Sequence, residues 1–223
     1  DIPFIKIASG DMTNLPLLRY AAEKDKPILL STGFSSFEEI RIIMEELSGT
    51  EVLPLHCVGC YPAGTKNAHL STIERLRDEF TQPVGYSDHT VGVLASIAAV
   101  AKGAQVVEKH FTLDKSQEIG DHRLSANPEE MQEIVEKTQL IRQMNGNKRG
   151  NEAYACESNI KASMRRSLAA ANVIKQGERF KQENVTALRP SGGISPLHLD
   201  DVIDKKADKR IEQGEILRES YIS

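Results

Sequence analysis

The sequence predicts an α/β domain built on a parallel sheet, followed by a smaller β-rich domain. Three observations lead to this fold class. Five short apolar segments alternate with amphipathic segments, polar reactive residues follow the end of each apolar segment, and the alternation stops after Asn145. Strict alternation of strand and helix is typical of parallel strands covered by helices. Ligands bind at the carboxyl ends of such strands, so the polar residues there are candidates for a site.

The five apolar segments are predicted to form the strands of the sheet. They are apolar on both faces, which is typical of parallel strands buried between layers. The predicted strands are 4–8, 27–32, 52–57, 83–87 and 105–110.

The segments between and after these strands carry apolar residues at helical spacing. Two have clear start signals: Ser36 is followed three residues later by Glu39, close to a capping box, and Asn127 is followed by Pro128. The predicted helices are 15–23, 36–47, 70–80, 91–102 and 127–144.

The pattern changes after Asn145, where a polar, glycine-rich segment predicts a linker. Further on, the turn IKQGE at 174–178 recurs as IEQGE at 211–215. The repeat predicts a small β-rich domain with internal pseudosymmetry, and chance similarity of two glycine turns is the alternative. The predicted boundaries are 1–147 for the α/β part, 148–159 for the linker and 160–223 for the tail domain.

Composition and charge limit the classes of function. Hydrophobic residues make up 39% of the 223 residues and charged residues 27%, typical of a globular protein, and the formal charge is -4. Such a chain has no global basic field for nucleic acid or an anionic membrane, so we expect neither partner. No run reaches the roughly 18 to 20 apolar residues of a membrane span.

The three cysteines, Cys57, Cys60 and Cys156, are too few for a disulfide framework. We therefore expect a reduced, cytoplasmic setting. The spacing of Cys57 and Cys60 fits a redox pair or one half of a zinc site. A zinc site would need a second pair of ligands, so we favour small residues at a strand end.

Two successive strands each end in a histidine, His89 in YSDHT and His110 in VVEKHFT. Adjacent parallel strands lie about 4.8 Å apart, so side chains at their ends can meet at one atom. Two imidazoles with open positions suit a divalent metal, and hydrogen-bonded structural histidines are the alternative. Asp88 and Glu108 are expected either to orient the imidazoles or bind water, or to form buried ion pairs. The lysines available for such pairs are Lys6 and Lys109.

Lys6 lies inside an apolar strand, where a lysine is costly unless an anion pairs with it. Ser9 and Gly10 follow at the end of that strand, and the next strand ends in the sequence STG at 31–33. Small residues at strand ends expose backbone N–H groups to an anion. Together these residues predict a bound phosphate or carboxylate at the strand ends.

Six motifs extend the interpretation: KIASGD, LLSTG, HCxxxYP, SDHT, EKHFTLD and GDHRLSANP. In this order and spacing they resemble the sialic acid synthase family, and the resemblance covers essentially the whole chain. SDHT together with EKHFT is its most specific part. The tail, with LRPSGGISP, resembles the antifreeze-like (SAF) domain that follows the barrel in this family.

The resemblance implies a (β/α)8 TIM barrel. The five predicted strands match the family's strands 4–8, and a barrel of this type needs about 250 residues. We therefore expect the chain to be the C-terminal part of a synthase, a partial barrel followed by the SAF domain.

The resemblance also implies an activity. The family's enzymes are transferases that condense phosphoenolpyruvate with an N-acylmannosamine-type sugar, giving a nine-carbon 2-keto sugar acid and phosphate. The implied cofactor is manganese or magnesium, and the implied assembly is a homodimer in which the tail crosses to the other subunit. A non-catalytic fragment and a carbohydrate-binding module that uses only the SAF domain are the alternatives.

The family's site residues carry over one by one. The implied metal ligands are His89 and His110. The residues implied to contact the carboxylate or phosphate of phosphoenolpyruvate are Lys6, Ser9, Ser31 and Ser87. The expected catalytic residues are Lys6, Glu108, Asp121 and Arg189.

Tyr61 and Asp121 are implied to hold the sugar's hydroxyls and amide, while Glu108 lies beside the metal. Arg189, in the sequence LRP, is implied to contact the N-acyl group in the site of the other subunit. One position departs from the family: many members carry Asn where this chain has Gly59, which puts one phosphate contact in question. GDHRLSANP also differs from the family's commoner PDHKASLEP and leaves the sugar open.

Overall fold

The structure is a computed structural model that describes residues 2–146, 150, 152 and 154–223. The chain separates into two compact units, Asp1–Asn147 and Lys148–Ser223. The first is built on a parallel sheet and the second on a small β-rich core.

Five parallel strands form the sheet of the first unit and follow one another in chain order from edge to edge. Three of them are buried along their whole length, as expected for parallel strands covered on both faces. The predicted α/β class is confirmed. The strands are β1 (Ile5–Ile7), β2 (Ile28–Ser31), β3 (Val52–Cys57), β4 (Gly85–Asp88) and β5 (Val106–Lys109).

Five α-helices alternate with these strands. Ser36 and Asn127 begin two of them with full capping boxes, in which the cap side chain and the glutamate three residues later satisfy each other's backbone N–H groups. The helices are α1 (Leu15–Ala22), α2 (Phe37–Glu46), α3 (Ser71–Glu79), α4 (Leu94–Ala101) and α5 (Pro128–Asn145).

Four helices begin later than predicted: two because Ser36 and Asn127 are their N-caps, and two because of backbone conformation. The helix expected from residue 91 begins at Leu94, because Gly92 has a φ of 82°. The helix expected from residue 70 begins at Ser71, shortly after His69 with a φ of 45°. A left-handed residue cannot belong to a right-handed helix, so each one precedes a new start.

The two faces of the sheet carry different clusters. Ile28 and Leu30 pack with apolar residues of the helices, whereas Leu29 joins a smaller cluster on the opposite face. Lys6 is in register with Leu29 and therefore belongs to the face opposite the main helical core. This face leads to the strand ends at which the polar residues gather.

The second unit contains an antiparallel pair, β6 (Ser167–Ala170) with β7 (Val185–Leu188), and two short helices, α6 (Ser158–Met164) and α7 (Leu199–Val202). Part of the predicted linker over 148–159, namely residues 148, 149, 151 and 153, lies outside the described residues. Within the described part of this segment, a 3₁₀ turn at Ala155–Glu157 leads directly into α6.

Helix α6 is tied to the rest of the second unit. The backbone N–H and the hydroxyl of Ser191 both donate to the carbonyl of Ala162, each at 2.9 Å. These two hydrogen bonds hold the middle of α6 against the segment that follows β7.

The predicted pseudosymmetry of the second unit is confirmed. Ile174 and Ile211, the first residues of the two repeated turns, exchange both backbone hydrogen bonds at 3.0 and 2.9 Å, and both are fully buried. Gly177 and Gly214 have φ values of 80° and 82°, and each donates its N–H to an alanine carbonyl next to the other turn. The two repeats thus lie across a pseudo-twofold axis.

None of the helices that the structure describes combines the length and apolar character that a bilayer span requires.

Candidate active site

The polar residues of the first unit gather at the carboxyl ends of its strands, the edge at which α/β folds bind ligands. The strand register places Cys57, Ser87 and Glu108 side by side on β3, β4 and β5. His89 and His110 follow directly after the last residues of β4 and β5. The sequence-predicted site residues of the first unit therefore share one edge of the sheet.

Three rings form the centre of this edge. The ring centroid of Tyr61 lies 4.1 Å from that of His89 and 5.9 Å from that of His110, and the two imidazole centroids are 5.3 Å apart. Tyr61 is 50% exposed, whereas His89 is buried. The cluster is thus anchored at His89 and accessible to a ligand at Tyr61.

His89 is held through one ring nitrogen. Its Nδ1 lies 2.8 Å from the carbonyl oxygen of Val58 and 3.8 Å from the Sγ of Cys57. When Nδ1–H donates to that carbonyl, the neutral ring presents Nε2 as a free acceptor, the arrangement typical of metal-bound histidines. Burial lowers the pKa of His89, but the contacts with Cys57 and Val58 outweigh it and raise the pKa above its usual value.

The Cys57 thiol was not singled out for this site by the sequence. Burial raises its pKa, but hydrogen bonds with His89, Ser9 and Ser87 outweigh burial and lower the pKa overall. The signal that could have identified it is its position: it ends β3 directly beside Ser87, the neighbouring residue of the same edge.

His110 faces a carboxylate. Its Nδ1 lies 3.7 Å from Oδ2 of Asp121, and the side chains are 34% and 45% exposed. The backbone of Asp121 is fixed, because its carbonyl accepts hydrogen bonds from Leu124 N–H and from the N–H and hydroxyl of Ser125. The loop after β5 therefore holds Asp121 beside the second histidine.

Lys6, Glu108 and Ser87 form a second cluster at the same edge. The Nζ of Lys6 lies 3.7 Å from Oε1 of Glu108 and 3.1 Å from the carbonyl of Ile7. The hydroxyl of Ser87 donates to the other carboxylate oxygen of Glu108. Of the two roles expected for Glu108, the structure therefore shows the ion pair with Lys6. This pair is partly exposed, whereas a buried pair was expected.

Ser9 and Ser31 occupy the ends of β1 and β2. The Ser9 hydroxyl accepts a hydrogen bond of 3.0 Å from the N–H of Gly33, and a Cβ at position 33 would lie 2.7 Å from that hydroxyl. Only glycine allows this approach. Ser31 is 2% exposed, and its hydroxyl has no hydrogen-bond partner among the residues that the structure describes. A buried hydroxyl without a partner is uncommon and can bind a ligand or a water.

The ring of Phe34 explains why position 59 is glycine, where many members of the family that the sequence resembles carry Asn. A Cβ at position 59 would lie 2.1 Å from two atoms of the Phe34 ring. Phe34 itself is 74% exposed and has a φ of 64°, a conformation that is costly for a bulky residue. The aromatic ring therefore occupies the space that an Asn side chain at position 59 would need. The sequence offered no sign of this contact.

The carboxylate of Asp88 hydrogen-bonds neither imidazole directly, contrary to one of the two expectations; its partners are Tyr86, Thr90, Ser96 and Lys109. Asp88 instead forms a buried ion pair, which was the other expectation: the Nζ of Lys109 lies 2.9 Å from its Oδ2. Side chains alternate along a strand, so these residues point away from the edge residues Ser87 and Glu108. Burial, followed by the negative charge of Asp88, raises the pKa of Tyr86, whose hydroxyl donates to Asp88.

The remaining histidine of the strands is structural. His56 is buried, its Nε2 lies 2.8 Å from the carbonyl of Ala68, and its ring stacks on Tyr86. Burial is the main cause that lowers its pKa.

Cys57 and Cys60 show no sign of a zinc site. Both are free, as is Cys156. Over the described residues no three His, Cys, Asp or Glu side chains come together to hold a metal.

The chemistry of the centre nevertheless fits a two-histidine metal site. His89 has its Nδ1 occupied and its Nε2 free, the His110 ring lies 5.3 Å away, and Tyr61 borders both. Two imidazoles leave most coordination positions to water and substrate, as a catalytic rather than a structural metal requires.

Arg189 belongs to the second unit. It follows directly after β7, and its Nε donates a hydrogen bond of 2.9 Å to the carbonyl of Met164. Arg189 remains exposed, so the rest of its guanidinium can still bind a ligand. The other predicted site residues all lie in the first unit.

Two family models match the chain. The NeuB family model matches residues 1–150, and the SAF domain model matches residues 165–222.

Individual relatives agree with these matches. The chain is 38% identical over 98% of its length to an N,N'-diacetyllegionaminic acid synthase of Campylobacter jejuni, of which it spans 66%. It is 34% identical over its full length to an N-acetylneuraminate-9-phosphate synthase of Drosophila melanogaster, of which it spans 68%. The chain thus covers about two thirds of these curated relatives.

A solved structure agrees as well. The fold matches a protein of Chromobacterium violaceum described as spore coat polysaccharide biosynthesis protein E with a TM-score of 0.78 and 28% identity. The match covers 100% of this chain and 68% of that one.

Proposed function

The chain belongs to the NeuB family and ends in a SAF domain, and on this basis we propose that its protein condenses phosphoenolpyruvate with an N-acylmannosamine-type sugar. The products are a nine-carbon 2-keto sugar acid and phosphate. The relatives named above act on different sugars, so the N-acyl group and any phosphate on the sugar are left open. The proposed class is a phosphoenolpyruvate-dependent transferase that forms a carbon–carbon bond.

Phosphoenolpyruvate is proposed to bind along the ends of β1, β2 and β4. The ammonium of Lys6 supplies the positive charge that the trianion needs, from the face of the sheet opposite the main helical core. Ser31 contributes a hydroxyl that has no other partner among the described residues. The proposed binding residues are Lys6, Ser9, Ser31 and Ser87.

The sugar is proposed to bind beside the ring cluster. Tyr61 is half exposed beside both histidines, and Asp121 lies 3.7 Å from His110, so their oxygens can hold the sugar's hydroxyls and amide. In the proposed homodimer, Arg189 of the partner subunit contacts the N-acyl group. A guanidinium suits this role because its rigid fork of N–H groups matches carbonyl oxygens.

The reaction begins with attack of C3 of phosphoenolpyruvate on the aldehyde carbon of the open-chain sugar. A carbon–carbon bond forms, the aldehyde oxygen takes a proton from solvent to become a hydroxyl, and C2 is left with oxocarbenium character; the proton that water loses in the next step returns to solvent through the base. Holding both substrates in line accounts for much of the rate, because a bimolecular step becomes an effectively unimolecular one. Lys6 and the serines provide this orientation.

Water then adds to C2, and its proton passes to a base. We assign this role to Glu108, which Ser87 hydrogen-bonds and Lys6 balances in charge. The C2 hydroxyl loses its proton as the C2–O bond to phosphate breaks, and phosphate leaves with that proton. The product is the 2-keto acid.

His89 and His110 would hold the divalent metal, manganese or magnesium. When bound, such a metal polarises the aldehyde oxygen as a Lewis acid. Asp121 fixes the ring of His110 from one side, and the Val58 carbonyl fixes that of His89.

The larger assembly is part of the same proposal. Residues 1–147 correspond to strands 4–8 of a TIM barrel, 148–159 connect the units and 160–223 form the SAF domain. The tail crosses to a second subunit in a homodimer, and the enzyme works in the cytoplasm.

The proposal is carried by one observation: His89, His110 and Tyr61, from three separate strand ends, meet as a ring cluster beside Asp121. The test uses the product of the complete natural gene. It is incubated with phosphoenolpyruvate, Mn²⁺ and either N-acetylmannosamine or a diacetylated analogue, and phosphate release and product mass are measured. Phosphate release that does not depend on the sugar, or absence of a nine-carbon keto acid, would refute the proposal.

A further inference from the structure

The carboxylate of Asp88 is fully satisfied inside the first unit. Its Oδ1 accepts hydrogen bonds from the N–H of Thr90 at 2.8 Å and the hydroxyl of Tyr86 at 3.3 Å. Its Oδ2 accepts from the hydroxyl of Ser96 at 2.6 Å and the ammonium of Lys109 at 2.9 Å. Four donors from two strands, a loop and helix α4 therefore converge on one side chain.

The ion pair between Asp88 and Lys109 is buried. The side chains of Asp88 and Lys109 are 0% and 1% exposed. A buried ion pair is weak evidence for stability, because well-packed apolar residues of similar volume often stabilise a protein as much or more. Such a pair fixes local geometry more reliably than it adds stability. Its hydrogen bonds are directional, whereas contacts between apolar side chains are not.

The position of the pair relates it to the histidines. Asp88 is in register with Lys109, and the next residue along each strand is His89 on one and His110 on the other. The ammonium of Lys109 also donates a hydrogen bond of 2.8 Å to the carbonyl of Thr90. One lysine on β5 therefore holds both residues that flank His89.

We propose that the Asp88–Lys109 ion pair positions His89 relative to His110, and that it thereby sets the affinity of the two-histidine site for a divalent metal. The pair touches neither imidazole; it acts through the backbones of β4, β5 and the loop at Thr90. This inference rests on the proposed function, in which the two histidines hold the metal.

The test measures Mn²⁺ affinity by calorimetry, independently of turnover. The main variant is the double substitution Asp88→Asn with Lys109→Met, which removes both charges and keeps similar volumes. We expect it to bind Mn²⁺ about 10-fold more weakly or worse, the lower end of the range for residues that orient metal ligands from outside. The matched control is Ile73→Val, a substitution of a fully buried core residue in α3, which should change the melting temperature but not the affinity.

A milder variant covers the case in which the double variant does not fold. Ser96→Ala removes one of the four donors to Asp88 and should weaken Mn²⁺ binding by about threefold, as loss of a single hydrogen bond predicts. If a folded double variant, or Ser96→Ala alone when the double variant does not fold, binds Mn²⁺ as tightly as the unaltered protein, the pair is merely structural and the inference is wrong.

The proposed function can fail separately. If the unaltered protein binds Mn²⁺ and forms product while the variants keep full affinity, only the positioning role is overturned. If the unaltered protein binds no divalent metal, both the metal site and its positioning pair are overturned.

Discussion

The imidazole rings of His89 and His110 lie 5.3 Å apart between centroids, although α4 and β5 separate the two residues in sequence. The parallel pairing of β4 and β5 brings them together, because the register continues from Asp88 opposite Lys109 to the next residue of each strand. Two rings this close, at the ends of neighbouring strands, are the basis of the metal site proposed above.

The first prediction concerns this metal site. His110→Ala should lower Mn²⁺ affinity and activity together, because one of the two protein ligands is lost. Calorimetry and phosphate release measure the two quantities. His198→Ala, which changes an exposed histidine of the second unit, is the control and should leave both unchanged. Activity that survives without metal binding would contradict the assignment.

The second prediction concerns Lys6. Lys6→Met should raise the KM for phosphoenolpyruvate more than the KM for the sugar, because the ammonium pairs with the trianion rather than with the sugar. Initial-rate kinetics with each substrate varied in turn provide the measurement. Lys26→Met alters a partly exposed lysine whose described contact is with the backbone carbonyl of Ile2 and should change neither KM. Equal increases in both KM values would place Lys6 outside the anion site.

The third prediction tests whether the site is shared between subunits. Full-length Arg189→Ala and His110→Ala proteins are each expected to be inactive. If every site combines residues of two chains, a mixed dimer has one site with both defects and one with neither, so mixing should restore part of the activity. Lack of recovery after confirmed subunit exchange would mean that Arg189 acts within its own chain or not at all.

The fourth prediction concerns pH and stability. Burial raises the pKa of Glu130, but the Lys115 ammonium, at 2.8 and 2.7 Å from its two oxygens, and the backbone N–H of Asn127 together outweigh burial and lower the pKa overall. A lowered folded-state pKa adds stability above the unfolded pKa of about 4.3, and this stability is lost as pH falls through the folded pKa.

Glu130→Gln should therefore lower stability at pH 7 by up to about 1 kcal/mol, as expected for a partly exposed ion pair. The difference from the unaltered protein should shrink as the pH falls toward 3. Melting temperatures over this range provide the measurement. The control is Glu129→Gln in the same first turn of α5, where the carboxylate is exposed. A difference that stays constant with pH would exclude the Lys115 ion pair as its cause.

The fifth prediction concerns the repeated turns. An alanine Cβ at position 177 or 214 would have no atom within 4 Å, so Gly177→Ala and Gly214→Ala cause no clash. Each would nevertheless place a side chain on a residue with a positive φ, 80° and 82° respectively. Each should destabilise the protein by about 1 kcal/mol, and by similar amounts, because the left-handed conformation is costly for alanine. Gly64→Ala, at a φ of −68°, should be close to neutral. Urea denaturation measures all three, and clearly unequal effects of the two turn variants would contradict their equivalence.

The elements of the first unit could be predicted from sequence because apolar periodicity is a local property. Val52–Cys57 forms a strand over its predicted length. Helix starts were less accurate, since they depend on the φ of single residues such as Gly92 and His69, which no pattern of polarity reveals. Helix α6 was missed because it has no buried residues and its polar sequence looked like a linker.

The candidate site was predictable in its residue types but not in its pairings. Parallel strands bring their ends to one edge, which is enough to group His89 with His110. Whether Asp88 faces the histidines or Lys109 depends on which face of the strand it occupies, and the sequence left both possibilities open. The contact of Phe34 with Gly59 joins two separate loops, and only the folded chain brings it about.

The pseudo-twofold axis of the second unit has a consequence for how that unit folds. Ile174 and Ile211 satisfy each other's backbone groups, and each glycine turn bonds to an alanine next to the other turn. A state with one half folded would lose these exchanged hydrogen bonds and would expose to water the isoleucine side chain that the other half helps to bury. The two halves must therefore form together, as the subunits of an obligate dimer do. Here the partners are joined covalently, so their mutual affinity does not depend on protein concentration.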